Sequence, residues 1–196
     1  SVILKSITLI LNGVGKTTLT KKISTEIRSK GIKTTGFYTE EVRKNRTREG
    51  FDVVTLDGIR GRLARDQSLL SGPIKHKVGK YGVVLPSPLI IILILSFQPD
   101  SQAHLLVIDE IGKMEFFSES FKTAIRTIFA PSSNCTVLAT IPVRRGDQLV
   151  ESIRNNSQKP YMARLALCLS DRLLRYVSRA LSSTEQKQGI FSRKKK

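Results

Sequence analysis

The sequence predicts an α/β fold with a mainly parallel sheet flanked by helices. Three observations carry this. Short aliphatic runs alternate along the chain with segments of helical periodicity. A glycine-rich turn, Gly13-Val14-Gly15-Lys16-Thr17-Thr18, joins the first aliphatic run to the first periodic segment. A second run, Leu105-Leu106-Val107-Ile108, ends in two adjacent carboxylates, Asp109 and Glu110. In such folds ligands bind at the carboxyl ends of the strands, so Gly15, Lys16, Thr17, Asp109, Glu110 and Thr140 are expected around one crevice.

Taken in order, Val2 to Leu11 reads as the first strand. Lys16 to Lys30 follows as a helix, with Leu19, Ile23 and Ile27 on one face and Gly31 as its stop. Ile32 to Val42 is extended, and Arg43 to Gly50 reads as a polar, basic turn. Phe51 to Leu56 alternates as a strand, with Asp57-Gly58 as a hairpin signal before Ile59 to Ala64. Val78 to Leu85 supplies another strand. Leu89 to Leu95 is continuously aliphatic and bounded by Pro86, Pro88 and Pro99. It falls short of the roughly 20 residues a bilayer span needs, so it reads as a buried strand or helix, aggregation-prone if exposed. No transmembrane segment is expected.

His104 to Ile111 is the strand of the acidic pair. Ser118 caps a helix running to Phe129, with Phe121, Ile125 and Ile128 as its buried face. Cys135 to Ile141 is a further strand, and a helix surrounds Asp147 to Asn155. Tyr161, Leu165, Leu169, Leu173, Val177 and Leu181 recur at steps of four beside arginines, which predicts a basic amphipathic helix. One domain is expected over residues 1–181, with a basic, disordered tail over 182–196.

Composition narrows the class. A chain of 196 residues suits one domain with a full core. Its 40% apolar and 25% charged content are globular values. A formal net charge of +17 favours polyanions: nucleotides, nucleic acid or acidic membrane surfaces. Much of the excess follows Arg154, where Arg164, Arg172, Arg175, Arg179 and Arg193 to Lys196 face only Asp171 and Glu185. That region reads either as a solvated basic face or as a weak polyanion or nucleic-acid contact. Cys135 and Cys168 have no Cys or His at metal-ligand spacing, and so few cysteines point to a reducing, cytoplasmic compartment. Val2 to Leu11 is short and runs straight into the glycine-rich turn, so no signal peptide is expected. The expected state is a monomer. His76 and His104 are isolated and receive no catalytic role.

The two motifs carry the chemistry. A glycine-rich turn between strand and helix points backbone N–H groups at phosphate oxygens, the next lysine adds a positive charge, and the next hydroxyl reaches magnesium. The usual spacing, Gly-x-x-x-x-Gly-Lys-[Ser/Thr], would place glycine at position 10. This chain has Ile10, Leu11 and Asn12 there. A β-branched residue resists the backbone conformations open to glycine, so the turn is expected later, at Asn12-Gly13, in a recognisable but weakened site. The nucleotide-binding set is then Ile10, Leu11, Asn12, Gly13, Val14, Gly15, Lys16, Thr17 and Thr18 on one side. Leu105, Leu106, Val107, Ile108, Asp109, Glu110, Ile111 and Gly112 form the other. Lys16 is the candidate for the β- and γ-phosphates, and Thr17 with Asp109 for Mg2+. Lys113 and Glu115 belong either to the surroundings of the site or to the surface. Arg43, Arg46, Arg48, Arg144 and Arg145 offer positive charge, but no spacing rule selects among them.

Six strings together resemble a known family: Asn12-Gly-Val-Gly-Lys-Thr-Thr-Leu19, Gly36-Phe-Tyr-Thr-Glu-Glu-Val-Arg43, Gly50-Phe-Asp-Val-Val-Thr-Leu56, Val78-Gly-Lys-Tyr81, Val107-Ile-Asp-Glu-Ile-Gly-Lys-Met-Glu115 and Thr140-Ile-Pro142. In that order they resemble the THEP-type nucleoside triphosphatases, over residues 1 to about 155. The resemblance implies a P-loop NTPase domain built as a RecA-like three-layer sandwich. It implies hydrolysis of ATP, GTP and other nucleoside triphosphates to diphosphate and phosphate with magnesium, and it makes Glu110 the base that orients or activates water. Three departures stand out. Ile10-Leu11-Asn12 replaces the family's Gly-Pro-Pro, Pro86 to Gln98 replaces a helix, and a basic segment replaces the closing strand and helix after Asn156. Two alternatives follow: a nucleotide-binding protein with lost or weak turnover, and a small-molecule or nucleotide kinase on the same fold. The adjacent Glu110 favours water as acceptor.

Overall fold

The computed structural model describes residues 6–10, 15–84, 104–130, 133, 136–155 and 163–164. Strand β1 (Ser6–Ile10) precedes helix α1 (Lys16–Ser29). Strands β2 (Lys33–Lys44) and β3 (Thr47–Thr55) form a long hairpin, followed by β4 (Arg60–Asp66). A small hairpin of β5 (Lys77–Val78) and β6 (Tyr81–Val83) comes next. The rest comprises β7 (His104–Asp109), α2 (Glu119–Ile128), β8 (Thr136–Ile141), α3 (Gln148–Arg154) and β9 (Ala163–Arg164).

Among the described residues these strands make one sheet, in the order β5-β6-β4-β3-β2-β7-β8-β1-β9. The ladders from β2 through β7, β8 and β1 to β9 are parallel. This is the part the alternating pattern anticipates. On the β2 edge, β3, β4, β6 and β5 add an antiparallel wing. A single strand, β8, separates β1 from β7, so the carboxyl ends of β1 and β7 flank that of β8.

Helices cover both faces. Leu106 and Ile108 of β7 and Val137, Ala139 and Ile141 of β8 pack with Phe121, Ile125 and Ile128 of α2 and with Val150 and Ile153 of α3. Side chains alternate along a strand, so Leu105, Val107, Asp109, Leu138 and Thr140 face the other way. There α1 packs on β2 and β7 and buries Ile23 and Ile27 completely. The helix limits follow from local chemistry. Gly31 takes φ 78 and closes α1 by donating to Arg28 O, while Ile32 N–H reaches back to Ile27 O. Ser118 Oγ accepts from Phe121 N–H at the start of α2, and Asp147 Oδ1 accepts from Leu149 and Val150 N–H at the start of α3.

The structure corrects three expectations. The polar stretch from Arg43 to Gly50 is not an open turn. Strands β2 and β3 run through it, and the reversal takes only Asn45 and Arg46, both at positive φ. Both faces of the hairpin tip are exposed, so no alternation marks it; Arg43 and Arg48 instead grip Glu41. Val78 to Leu85 is broken at Gly79-Lys80 into two short strands. Ala163 and Arg164 pair with Leu9 and Ile10 as a strand, where the steps of four predicted helix; two edge residues carry no period of their own. Outside the described residues lie Leu11 to Val14, the aliphatic run, both cysteines, the remainder of the predicted basic helix with its polyanion reading, and residues 182–196. Among the described residues no helix is long and apolar enough to cross a membrane.

Candidate active site

Helix α1 begins directly after Gly15, whose φ of 109 favours a residue without a Cβ. As its N-cap residue, Gly15 supplies no side-chain cap. Its first-turn N–H groups have no acceptor within the helix, and the helix dipole favours an anion there. Lys16 and Thr17 open the helix toward the end of β7. Thr17 Oγ1 donates to Asp109 Oδ2 at 2.5 Å and lies 3.4 Å from Thr39 O. Lys16 Nζ makes an ion pair and hydrogen bond with Glu110 Oε2.

Asp109 is held from three elements. Besides Thr17 of α1, Thr140 of β8 donates its hydroxyl to Asp109 Oδ1, and Thr39 of β2 donates to the Asp109 carbonyl at 3.0 Å. Ile111 N–H donates to Thr140 O at 2.9 Å, which ties the turn after the acidic pair to β8. The Asp109–Glu110 peptide is cis. Asp109 is buried, and burial is the main reason its pKa lies above the ordinary value. The hydroxyls of Thr140 and Thr17 pull it back down, the Glu110 charge pushes it up, and Lys16 lowers it.

Beyond Asp109 the long hairpin forms a wall. Tyr38 lies in register with Asp109. Lys21, one turn along α1 from Thr17, donates to Glu40 at 2.8 Å and sits 3.9 Å over the Tyr38 ring. Arg60 bridges Glu40 and Asp52, and Arg65 Nη2 lies 2.5 Å from Asp52 Oδ1. The hydrogen bonds from Lys21 and Arg60 hold the Glu40 carboxyl below its usual range.

Of the predicted set, the structure therefore brings together Lys16, Thr17, Asp109, Glu110 and Thr140. Gly15 and Thr18 lie at the helix start, and Leu105 to Ile108 form the buried strand behind Asp109. Ile111 and Gly112 are buried in the turn that follows. Ile10 ends β1, in register with Ile141 and Arg164. Leu11, Asn12, Gly13 and Val14 are outside the described residues. Arg43 and Arg48 are engaged with Glu41, and Arg46, Arg144 and Arg145 are exposed. Lys113 is exposed, but Glu115 is buried, which removes its surface reading. Thr39 was not legible as a site residue: its string, Gly36 to Glu41, matches no spacing rule, and only the parallel register of β2 with β7 carries it to Asp109.

Magnesium prefers hard oxygen donors, keeps water, and commonly binds through one or two carboxylates together with substrate phosphate. The Thr17 hydroxyl and Asp109 carboxylate, meeting beside the N-terminus of α1, fit that donor set.

Strand order sorts the molecule. One strand lies between β1 and the acidic strand β7, and a glutamate follows the aspartate at once; this is a P-loop NTPase of the RecA-like arrangement. The chain belongs to the NTPase family, whose pattern matches residues 11–176 and which includes the THEP1 and cancer-related nucleoside-triphosphatases. It is 47% identical over 152 residues to the cancer-related nucleoside-triphosphatase of Homo sapiens, a match covering 73% of this chain and 78% of the relative. It is 41% identical over 145 residues to the nucleoside-triphosphatase THEP1 of Thermotoga maritima, covering 74% and 77%. The solution structure of a human cancer-related nucleoside triphosphatase superposes with a TM-score of 0.73 at 39% identity, covering 91% of this chain and 98% of the other. The crystal structure of THEP1 from Aquifex aeolicus gives 0.71 at 32% identity, covering 88% and 96%. Members so named are hydrolases, and this chain is an enzyme of that class.

Proposed function

We propose that this protein hydrolyses nucleoside triphosphates, ATP and GTP among them, to diphosphate and phosphate with magnesium as cofactor. The observation that carries the reading is the pairing of two groups from α1 with two from the end of β7: Thr17 with Asp109, and Lys16 with Glu110.

Hydrolysis of a triphosphate demands charge neutralisation and an oriented water more than covalent help. The first-turn N–H groups of α1 and the Lys16 ammonium receive the β- and γ-phosphate oxygens. Thr17 and Asp109 would hold magnesium, which when bound supplies further positive charge to those oxygens. Thr140 and Thr39 keep Asp109 in place for this from β8 and β2. A γ-phosphate that engages Lys16 draws the ammonium from Glu110, whose carboxylate is then free to accept a proton from water. The water oxygen forms its bond to the γ-phosphorus as the bond to the bridging oxygen breaks, and diphosphate leaves.

The test is phosphate release from several triphosphates, with and without magnesium, beside a nucleotide-binding titration. Release should require the metal. Glu110→Gln should slow it by about 10²- to 10⁴-fold, the usual contribution of a positioned base, while binding persists. Tight binding without release, in wild type, would make the protein a nucleotide-binding relative that has lost turnover.

A further inference from the structure

Glu115 begins a 3₁₀ turn, Glu115–Phe117, that follows the acidic pair, and only 4% of its surface is exposed. A carboxyl this deep is unfavourable unless hydrogen-bonded. Its carboxyl accepts from the backbone N–H groups of Glu115 itself and of Gly112. Gly112 also separates it from Glu110. A Cβ on Gly112 would stand 3.2 Å from Glu115 Oε2 and 3.4 Å from Glu110 Oε1. Both carboxyls therefore border the one small space that glycine leaves open. The Gly112 carbonyl in turn accepts from Phe116 N–H at 3.2 Å, and Phe116 is part of the core. A short chain of contacts thus runs from the core through Phe116, Glu115 and Gly112 to Glu110, and from Glu110 to Lys16.

We infer that Glu115 is a positioning residue for the reaction: a buried carboxyl group that, with Gly112, sets how Glu110 is presented to Lys16 and to the attacking water. The inference rests on the role proposed for Glu110. Charge supports the geometry. Burial raises the Glu115 carboxyl to about 8, and the neighbouring charges of Glu110 and Asp109 push the same way against the two N–H donors. At neutral pH Glu115 keeps its proton and adds no second negative charge beside Glu110. Its deprotonation in alkali sets like charges around the glycine, which drives Glu110 from its place.

The experiment compares wild type, Glu115→Gln, Glu115→Ala, Gly112→Ala and Glu110→Gln in magnesium-supported triphosphate hydrolysis. It reads kcat, KM, melting temperature and the rate from about pH 6 to about pH 9. Glu115→Ala and Gly112→Ala should lower kcat by roughly 10- to 100-fold, the size of effect expected when a reacting group is displaced, with little change in KM. Glu115→Gln, which keeps the shape of the neutral acid, should recover much of what Glu115→Ala loses. It should also abolish the decline in rate expected of wild type above about pH 8. Wild-type kcat in Glu115→Ala and Gly112→Ala overturns the inference, as does an alkaline decline unchanged in Glu115→Gln. Should Glu115→Ala fail to fold, Gly112→Ala and Glu115→Gln decide by the same criteria. If Glu110→Gln turns over like wild type, the reading of Glu110 falls and this inference with it. If Glu110→Gln is inactive while the Glu115 and Gly112 variants are normal, the positioning role alone is wrong.

Discussion

Gly36 offers a sharp test of how the wall of the site is hung. It lies in β2 opposite Val107 of β7, at φ 127. A Cβ placed there would stand 1.9 Å from the Val107 carbonyl oxygen and 2.7 Å from its carbonyl carbon and nitrogen. The obstacles are backbone atoms, so no rotamer change relieves them. Gly36→Ala must either move β2 away from β7 or twist it, two residues before Tyr38 meets Asp109. An alanine at positive φ costs about 1–2 kcal/mol, and forcing packed backbones apart adds about 1–3 kcal/mol. Together these give about 2–5 kcal/mol, or roughly 5–15 °C in melting temperature for a chain of this size. Gly58→Ala is the control: φ there is 89, with nothing within 4 Å of the added methyl, so only the conformational part applies. Thermal melts and urea titrations of both variants separate the two contributions. Gly36→Ala should also depress hydrolysis more than its stability alone explains, because Thr39 is displaced from Asp109. Equal melting temperatures for the two variants would refute the reasoning, since they would show that the close approach yields without cost.

Lys16→Ala should abolish triphosphate hydrolysis and leave the melting temperature near wild type, because the pair with Glu110 is only partly buried; unchanged turnover in the folded variant would remove this helix start as the active site. Thr140→Val keeps the side-chain shape but deletes a donor to a buried carboxylate, so stability should fall by about 1.5–3 kcal/mol and magnesium dependence should weaken, measured by denaturant titration and metal titration of the rate. The pH dependence of stability follows from Glu115. Its folded pKa, about 8, exceeds the ordinary 4.5, so the native state retains a proton that the unfolded chain releases between those values. On this group's account stability is full below the lower value and declines by roughly 1.4 kcal/mol per pH unit as pH rises toward the upper one. Melting temperature should fall through that window in wild type and less steeply in Glu115→Gln; parallel slopes would place the titration elsewhere.

Much of the site could be read from the sequence because phosphate chemistry constrains local spacing. Gly15, Lys16 and Thr17 are consecutive, and so are Asp109 and Glu110, so each half of the site is written in one string. Thr140 was placed by a coarser argument, that it ends a parallel strand, and the ladder of β8 with β7 justifies it. Thr39 was out of reach and Glu115 was left between two readings, for different reasons. Thr39 reaches Asp109 through a pairing of β2 with β7 made across some 70 residues of sequence, and no local pattern encodes which strand will be the neighbour. Glu115, two residues after Lys113, reads equally as part of the site's surroundings or as surface. Its burial comes from the turn at Gly112 and from Phe116 entering the core, both tertiary events. The antiparallel wing was half legible: Asp57-Gly58 marks one reversal, whereas the tip at Asn45-Arg46 is hidden among charged residues that are strand on both sides.

The wing also bears on which acceptor receives the phosphoryl group. A kinase on this fold needs polar side chains near the γ-phosphate that are available to hold a second substrate. Here the charged residues of the wall bind one another: Glu40 to Lys21 and Arg60, Asp52 to Arg60 and Arg65, and Glu41 to Arg43 and Arg48. Lys21 is further occupied by the Tyr38 ring. Asp52 is nearly inaccessible, so stripping it of its arginines to admit a substrate would leave a buried charge unpaired, an outcome costing about 3–5 kcal/mol. A phosphorylatable acceptor would have to provide more than that in new contacts. Water has no such requirement. It needs one acceptor for its proton, the role proposed for Glu110, which follows Asp109 at the end of β7 and pairs with Lys16.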